Sequence, residues 1–230
     1  MTTDKKHNQV DNLTEVESAL TKTEQFLEAN QKMIAIVIGA IVVITVGYLG
    51  LQKFYVEPRS KSAQDQMFMA QNYFEKDSFN LALNGDGNHL GFLDIIDDFG
   101  STDAGNLAKY YAGVSYLHMG QFDKAVDYLK KFDTEDALLG PISLGAQGDA
   151  QLELGKTEDA IDLYTKAYKM NENSLTAPIY MLKAGVLLEN SSKSADALKI
   201  YETIKAKFPE SNEGKNIDKY IARVKVKMNA

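Results

Sequence analysis

The chain contains no cysteine, which excludes disulfides, thiolate nucleophiles and cysteine-ligated metals. The same absence leaves the compartment open, since cytosolic and periplasmic domains alike do without this residue. Tryptophan is also missing, and only three His and four Pro are spread over 230 residues. His7, His89 and His118 stand outside any HExxH-type context and read as solvated or hydrogen-bonded groups. Positive charge is scarce: 25 Lys and Arg face 32 Asp and Glu, for a net charge of −7. A nucleic-acid binder needs a dense basic face to displace phosphate counterions, so nucleic acid is not an expected partner. No phosphate loop or dinucleotide fingerprint is present, and no run of period two follows Pro58.

No catalytic constellation emerges either, and no cofactor is implied. The acid pairs Asp97-Asp98 and Glu135-Asp136 fall where solvated helix faces are expected. In the loop that begins at Asn84, the residues Asn84, Asp86 and Asn88 match the alternating oxygen ligands of an EF-hand. His89 stands where that loop needs glycine and Ile95 where it needs a bidentate Glu, so no metal site is expected. A turn with positive-φ glycines joining two helices accounts for these residues.

What the chain does have is one long apolar run. Met33 to Leu51 reads MIAIVIGAIVVITVGYLGL, without charge, between Lys32 and Lys53. At 1.5 Å per residue it spans about 28 Å, close to the hydrocarbon thickness of a bilayer. Tyr48 and Tyr55 fall at headgroup level, and a transmembrane helix is expected over 33–53, with 33–51 in the bilayer. A cleavable signal is disfavoured, because the 32 preceding residues hold four Lys against six acids and no small-x-small site follows. Lys22 and Lys32 before the run, against Lys53, Arg59 and Lys61 after it, tilt the charge count towards a cytoplasmic C-terminal domain by one residue. Within the 1–32 tail, Leu13, Val16, Leu20 and Leu27 make a helical stripe, and Thr14-x-x-Glu17 has the form of a capping box. Such a stripe suits a membrane surface or a partner helix; a simple extension of the span is the alternative.

After Pro58, helices of 12–20 residues alternate with Gly, Asn or Ser, and the sequence repeats. Gly113, Gly148 and Gly185 recur at steps of 35 and 37 residues. Ala125, Ala160 and Ala197 follow twelve positions later, and Leu129, Tyr164 and Tyr201 four beyond those. Gly120 and Gly155 close the first helix of their units, whereas Ser192 stands in the third. Phe92, Ile95 and Phe99 mirror Tyr201, Ile204 and Phe208 at a constant offset of 109.

The segments AGVSYLHMGQFDKAVDYLKKF and GDAQLELGKTEDAIDLYTKAY resemble tetratricopeptide (TPR) units. The expected fold is therefore all-α, a single transmembrane helix followed by a TPR-like solenoid over 60–230. Its parts are a degenerate unit at 60–100, repeats at 106–139, 141–173 and 178–209, and a capping helix at 212–229. Small residues at the eighth and twentieth positions let paired helices approach, and the twenty-fourth fills the space beside them.

The resemblance also implies a binding face. In TPR stacks, positions 2, 5, 9 and 12 of each first helix line the concave side. Here these are Leu107, Tyr110, Val114 and Leu117; Ile142, Gly145, Asp149 and Leu152; and Ile179, Leu182, Val186 and Glu189. Nine of the twelve are apolar or aromatic, and the Lys and Asn that clamp a C-terminal carboxylate in TPR chaperone adaptors are missing. Such a groove suits an extended or amphipathic segment, unless the helices of 60–99 or the C-terminal helix fill it.

Taken in order, an acidic tail ending in FLEANQK, one span and then TPR units is similar to the YfgM-type ancillary subunits of the bacterial Sec translocon. That likeness implies an inner-membrane protein with a cytoplasmic N-terminus and a periplasmic TPR domain. Implied partners are Sec translocon subunits, a membrane-anchored periplasmic prolyl isomerase and unfolded clients. An envelope or cell-division adaptor is the alternative reading.

Overall fold

The computed structural model describes the backbone of residues 4–229 and the side chains of residues 26, 27 and 29–229. Two compact units are present, Met1–Pro58 and Arg59–Ala230. In the first, α1 runs unbroken over Asp4–Leu51 and a π-helical turn follows at Gln52–Val56. The tail is thus a helical extension of the apolar run. Thr14 lies inside the helix rather than at its start, and its side chain lies outside the described residues. The side chains of Leu13, Val16, Glu17 and Leu20 lie outside the described residues. From Met33 to Leu51 no residue is buried, Ile36 and Val43 being among the most exposed. Among the described residues this is the one helix long and apolar enough to cross a membrane.

The second unit is built from α2 (Glu57–Glu75), α3 (Phe79–Asn84), α4 (Phe92–Phe99), α5 (Asp103–His118), α6 (Phe122–Lys131), α7 (Leu139–Glu153), α8 (Thr157–Met170), α9 (Ala177–Asn190), α10 (Ser194–Lys207) and α11 (Asn212–Asn229). Successive helices pack on their neighbours in antiparallel-pair fashion, α5 on α6, α7 on α8 and α9 on α10, so the stack grows one pair at a time. No strand occurs among the described residues.

The sequence columns have a direct packing meaning. A Cβ on Gly113 would come within 2.5 Å of Leu129 Cγ; on Gly148, within 2.6 Å of Tyr164 Cε1; on Gly185, within 2.5 Å of Tyr201 Cε1. Each first helix therefore presents bare backbone to the large residue of its own second helix. Ala125, Ala160 and Ala197 are fully buried at the same crossings. This is close packing at crystal-like density, where a single methyl group has no room.

The turns inside each pair are alike as well. Gln121, Lys156 and Lys193 each donate a backbone N–H at 2.9 Å to the carbonyls of Tyr116, Gln151 and Leu188. That wide loop needs a left-handed residue just before the donor. Gly120 (φ 71°), Gly155 (φ 76°) and Ser192 (φ 60°) fill the place. The same arrangement identifies the degenerate unit: Ser78 donates to Tyr73 at 2.9 Å, and Asp77 adopts φ 56°. Counting from Asp77, Ala70 takes the glycine column and Ala82 the alanine column, both fully buried. The large residue arrives only at Phe92. Between Ala82 and Phe92 the chain carries six more residues than between Ala197 and Tyr201, which splits the second helix into α3 and α4.

Asp86 ties this inserted loop down. It accepts hydrogen bonds from the Tyr73 hydroxyl (2.7 Å) and from the backbone N–H groups of Asn88 (2.9 Å) and His89 (2.7 Å). These bonds, Tyr73's foremost, hold its carboxyl well below the usual range. Gly85 (φ 73°) and Gly87 (φ 87°) supply the turn between α3 and α4.

The 109-residue offset continues past the second helix. Gly105 and Gly214 donate backbone N–H groups to Thr102 Oγ1 (3.1 Å) and Ser211 Oγ (2.9 Å). These hydroxyls in turn donate to the carbonyls of Phe99 (2.8 Å) and Phe208 (2.9 Å). Both glycines are required, because a Cβ on either would lie 2.0 Å from that phenylalanine carbonyl. Arg59 closes the first junction, donating to the Asp98 carbonyl at the end of α4 with its guanidinium 5.5 Å from the Phe99 ring.

The joint between α6 and α7 differs from the others. The α7 face turned to α6 carries Ser143, Gln147 and Gln151, all buried. Gln147 reaches the Leu129 carbonyl at 3.4 Å, whereas Ser143 Oγ and Gln151 Oε1 have no hydrogen-bond partner. The apolar core correspondingly divides near α7. One cluster gathers α2–α6 with Ala150 and Leu154, and two others gather α7–α11.

Candidate functional site

The first helices α5, α7 and α9 carry the twelve expected concave positions, and the structure separates them into three kinds. Leu107, Tyr110, Val114, Leu117, Ile142, Asp149, Leu152, Leu182 and Val186 are half-buried, and Ile179 is exposed. Gly145 is covered by Tyr180, whose Cε1 would lie 2.0 Å from a Cβ there. Glu189 corrects the sequence reading. It is 3 % exposed and is held by the chain's own C-terminal helix. Arg223 donates from Nε (2.8 Å) and Nη2 (2.7 Å), Lys227 Nζ lies at 2.9 Å, and the Tyr201 hydroxyl donates at 3.1 Å. The Arg223 guanidinium, with Lys227 and Tyr201, lowers the Glu189 carboxyl to about 2 against the cost of burial. A carboxylate so fully bonded belongs to the core and not to a binding surface.

Four of the expected residues converge. Asp149, Leu152, Leu182 and Val186 share a cavity of about 400 Å³ with Tyr164, Lys183, Leu187 and Tyr220. Leu107 borders a second cavity of about 280 Å³ with Gln64, Met67 and Gln71 of α2. Tyr110, Val114, Leu117, Ile142 and Ile179 reach neither; Tyr110 rests 5.5 Å from the Phe132 ring, and Leu117 packs into the first core cluster. The groove is therefore neither wholly open nor filled. Its N-terminal end is flanked by α2, and its C-terminal end by Tyr220 of α11, with usable space at both.

At the larger cavity the floor is aliphatic and the walls are polar and already paired. Asp149 Oδ1 accepts from the Tyr164 hydroxyl (2.5 Å) and from Lys183 Nζ (2.6 Å). Burial, then the bond to Asp149, raises the Tyr164 hydroxyl; burial and the Asp149 charge push Tyr180 up to about 12. Both phenols stay protonated at neutral pH and act as hydrogen-bond donors or apolar walls. The arrangement can hold an apolar side chain and orient a polar neighbour. A further cleft, about 420 Å³, lies between α8 and α10, where Lys169, Glu172, Asp196, Lys199 and Lys207 give it charged walls. Among the described residues no group of three or more His, Asp or Glu is placed to hold a metal ion.

The repeat register alone does not flag Lys183, Leu187 or Tyr220 as groove residues. Leu187 and Lys183 lie one position beyond the expected Val186 and Leu182, and Tyr220 belongs to the capping helix, outside that register. From sequence Tyr164 is a packing residue only; its hydroxyl reaches the groove because the ring lies against Gly148.

Comparison with known proteins bears on the repeats. Two tetratricopeptide-repeat family profiles match, one at residues 107–135 and one at 146–212. No curated protein matches the chain. Among solved structures, a Podosopora anserina protein of nearly identical TPR-like repeats superposes with a TM-score of 0.56 at 14% identity, covering 72% of this chain and 86% of that one. A point variant of the same protein also gives a TM-score of 0.56 at 14% identity, over 72% of this chain and 85% of that one. The MamA protein superposes with a TM-score of 0.53 at 16% identity, over 71% of this chain and 88% of that one. At such identities the likeness concerns the fold. Matched profiles, the Gly–Ala–aromatic crossings and the stacked helix pairs together show tetratricopeptide repeats, at 107–135 and 146–212, within a helical-solenoid fold.

Proposed function

We propose that the protein is a non-enzymatic, membrane-tethered TPR scaffold that holds partner proteins or emerging polypeptides at the bacterial Sec translocon, on the periplasmic side. The observation that carries the binding part is the cavity where Leu152, Leu182 and Val186 remain accessible beside Asp149 and Lys183. TPR repeats are protein-interaction scaffolds, and an aliphatic floor with a few fixed polar groups suits a segment of another chain. The tether is Met33–Leu51, an apolar helix with no protein cover. Anchoring concentrates the groove at the membrane, so that weak capture becomes effective. The translocon, the membrane-anchored prolyl isomerase partner and the periplasmic orientation rest on the likeness to YfgM-type subunits.

Two experiments test this reading. Because the chain lacks cysteine, Ala230→Cys provides a single reporter. A membrane-impermeant maleimide labels it in intact spheroplasts if the TPR domain is periplasmic, and labelling only after lysis reverses the orientation. Co-purification in mild detergent recovers translocon subunits under the proposal; recovery of division or cell-wall proteins in their place assigns the chain to envelope organisation.

A further inference from the structure

The cavity lined by Asp149, Leu152, Leu182 and Val186 has a polarity of its own. Its far wall is Tyr220 of α11, and two cations crowd that ring: Lys219 Nζ lies 5.2 Å and Arg223 Cζ 4.9 Å from its centroid. Lys183 faces them across the cavity, 5.4 Å from the Tyr164 ring. The carboxylates nearby are satisfied from within, Asp149 by Tyr164 and Lys183 and Glu189 by Arg223, Lys227 and Tyr201. Asp218, next to Lys219, is paired with Lys205 at 2.6 Å, and Glu153, exposed on α7, is close enough to act on the Tyr164 hydroxyl. Arg223 spends Nε and one Nη2 bond on Glu189, yet its side chain remains 50% exposed. Lys219 is exposed and has no ion pair among the described residues. A chain of net charge −7 thus turns a positive edge towards its apolar cavity, and that edge comes from the capping helix rather than from the repeats.

We propose that this cavity takes an acidic amphipathic protein segment, its aliphatic side chain entering beside Leu182 and Val186 and its carboxylates lying along Lys219 and Arg223. This rests on the groove reading above and adds the chemistry of the partner. Cations over an aromatic wall, next to an aliphatic floor, hold a carboxylate best when an apolar side chain of the same segment anchors it there. The α7 end, where Glu153 stands, disfavours a second carboxylate, so the segment binds in one direction. A basic amphipathic segment meets Lys219, which has no ion pair among the described residues, beside Arg223 at α11 and is disfavoured.

The test uses the full-length chain in a neutral maltoside detergent and three fluorescein-labelled helical peptides. All three share one leucine stripe, and their polar faces carry Glu, Gln or Lys. By fluorescence anisotropy the Glu peptide binds about three- to tenfold more tightly than the Gln peptide, and the Lys peptide most weakly. Lys219→Glu, at an exposed site, removes the advantage of the Glu peptide without altering the helical circular dichroism. Leu182→Glu abolishes capture of all three. Equal affinity for the three peptides, or no response to Lys219→Glu, overturns the proposal while leaving the groove standing if Leu182→Glu still abolishes binding. Failure of every peptide to bind, or binding indifferent to Leu182→Glu, removes the groove and the proposal together. Arg223 is unsuited to the test because its loss would strand the buried Glu189 carboxylate.

Discussion

Gly148→Ala adds one methyl group where the two helices of the second repeat cross. The new Cβ would lie 2.6 Å from Tyr164 Cε1 and 2.8 Å from Cδ1, whereas carbon pairs settle near 3.5–4.0 Å. Tyr164 has no room to retreat: it is fully buried, and its hydroxyl is fixed to Asp149 at 2.5 Å. Overpacking of this kind costs about 1–3 kcal/mol, and the helix propensity of alanine over glycine returns about 1 kcal/mol. The net loss is then only about 0–2 kcal/mol, too small to diagnose alone. A double-mutant cycle separates the two contributions. With Tyr164→Ala in place the ring is gone, and Gly148→Ala becomes stabilising by about 1 kcal/mol. The coupling energy is therefore about 1–3 kcal/mol, read from urea denaturation of the four proteins followed by circular dichroism. Additivity within about 0.3–0.5 kcal/mol would refute the idea that the glycine column exists for the large residue of the second helix.

The other expectations concern the turn, the groove and the buried carboxylate. Ser192 sits in left-handed backbone at a cost of about 1–2 kcal/mol. Because glycine takes back part of that through the unfolded state, Ser192→Gly raises stability by up to about 1 kcal/mol and Gly155→Ser lowers it similarly; a lower urea midpoint for Ser192→Gly would contradict this. Leu152→Glu and Leu182→Glu, at half-exposed positions, shift stability by no more than about 1 kcal/mol while capture of partner segments collapses, and a pull-down run beside denaturation reads both. Glu189, with a folded value of about 2 against an ordinary 4.5, contributes stability that is complete above about 4.5 and is lost as pH falls towards 2. Accordingly Glu189→Gln is less stable than the parent at pH 7, and the gap narrows across that acid window; a gap that stays constant would disprove the linkage.

Much of the fold was legible because repeats write their packing into the chain at fixed intervals. Gly113, Gly148 and Gly185 could be aligned by eye, and each proved to face the residue sixteen positions on. The degenerate first unit was visible only through its last aromatics. Its alanine at position 70 and its aspartate in the turn at 77 carry no glycine signal, and the six inserted residues put the two halves of the second helix out of register. At the groove, local period told which faces pointed inwards but not what covered them. Glu189 fits the concave register, yet its fate was decided by Arg223, 34 residues away in a helix outside the repeat. Tyr220 was missed for the same reason, since long-range pairing leaves no periodic trace.

The polar joint between α6 and α7 bears on how force and heat travel through the molecule. Repeat stacks hold together through nearest-neighbour interfaces, and cooperativity fails first at the weakest of these. Ser143 Oγ and Gln151 Oε1, buried without hydrogen-bond partners, make this interface costlier to keep than its apolar counterparts. Under load along the stack, the solenoid is expected to yield there first. The α2–α6 cluster and the α7–α11 clusters are then the two blocks that part, which makes this joint a mechanical fuse within the stack.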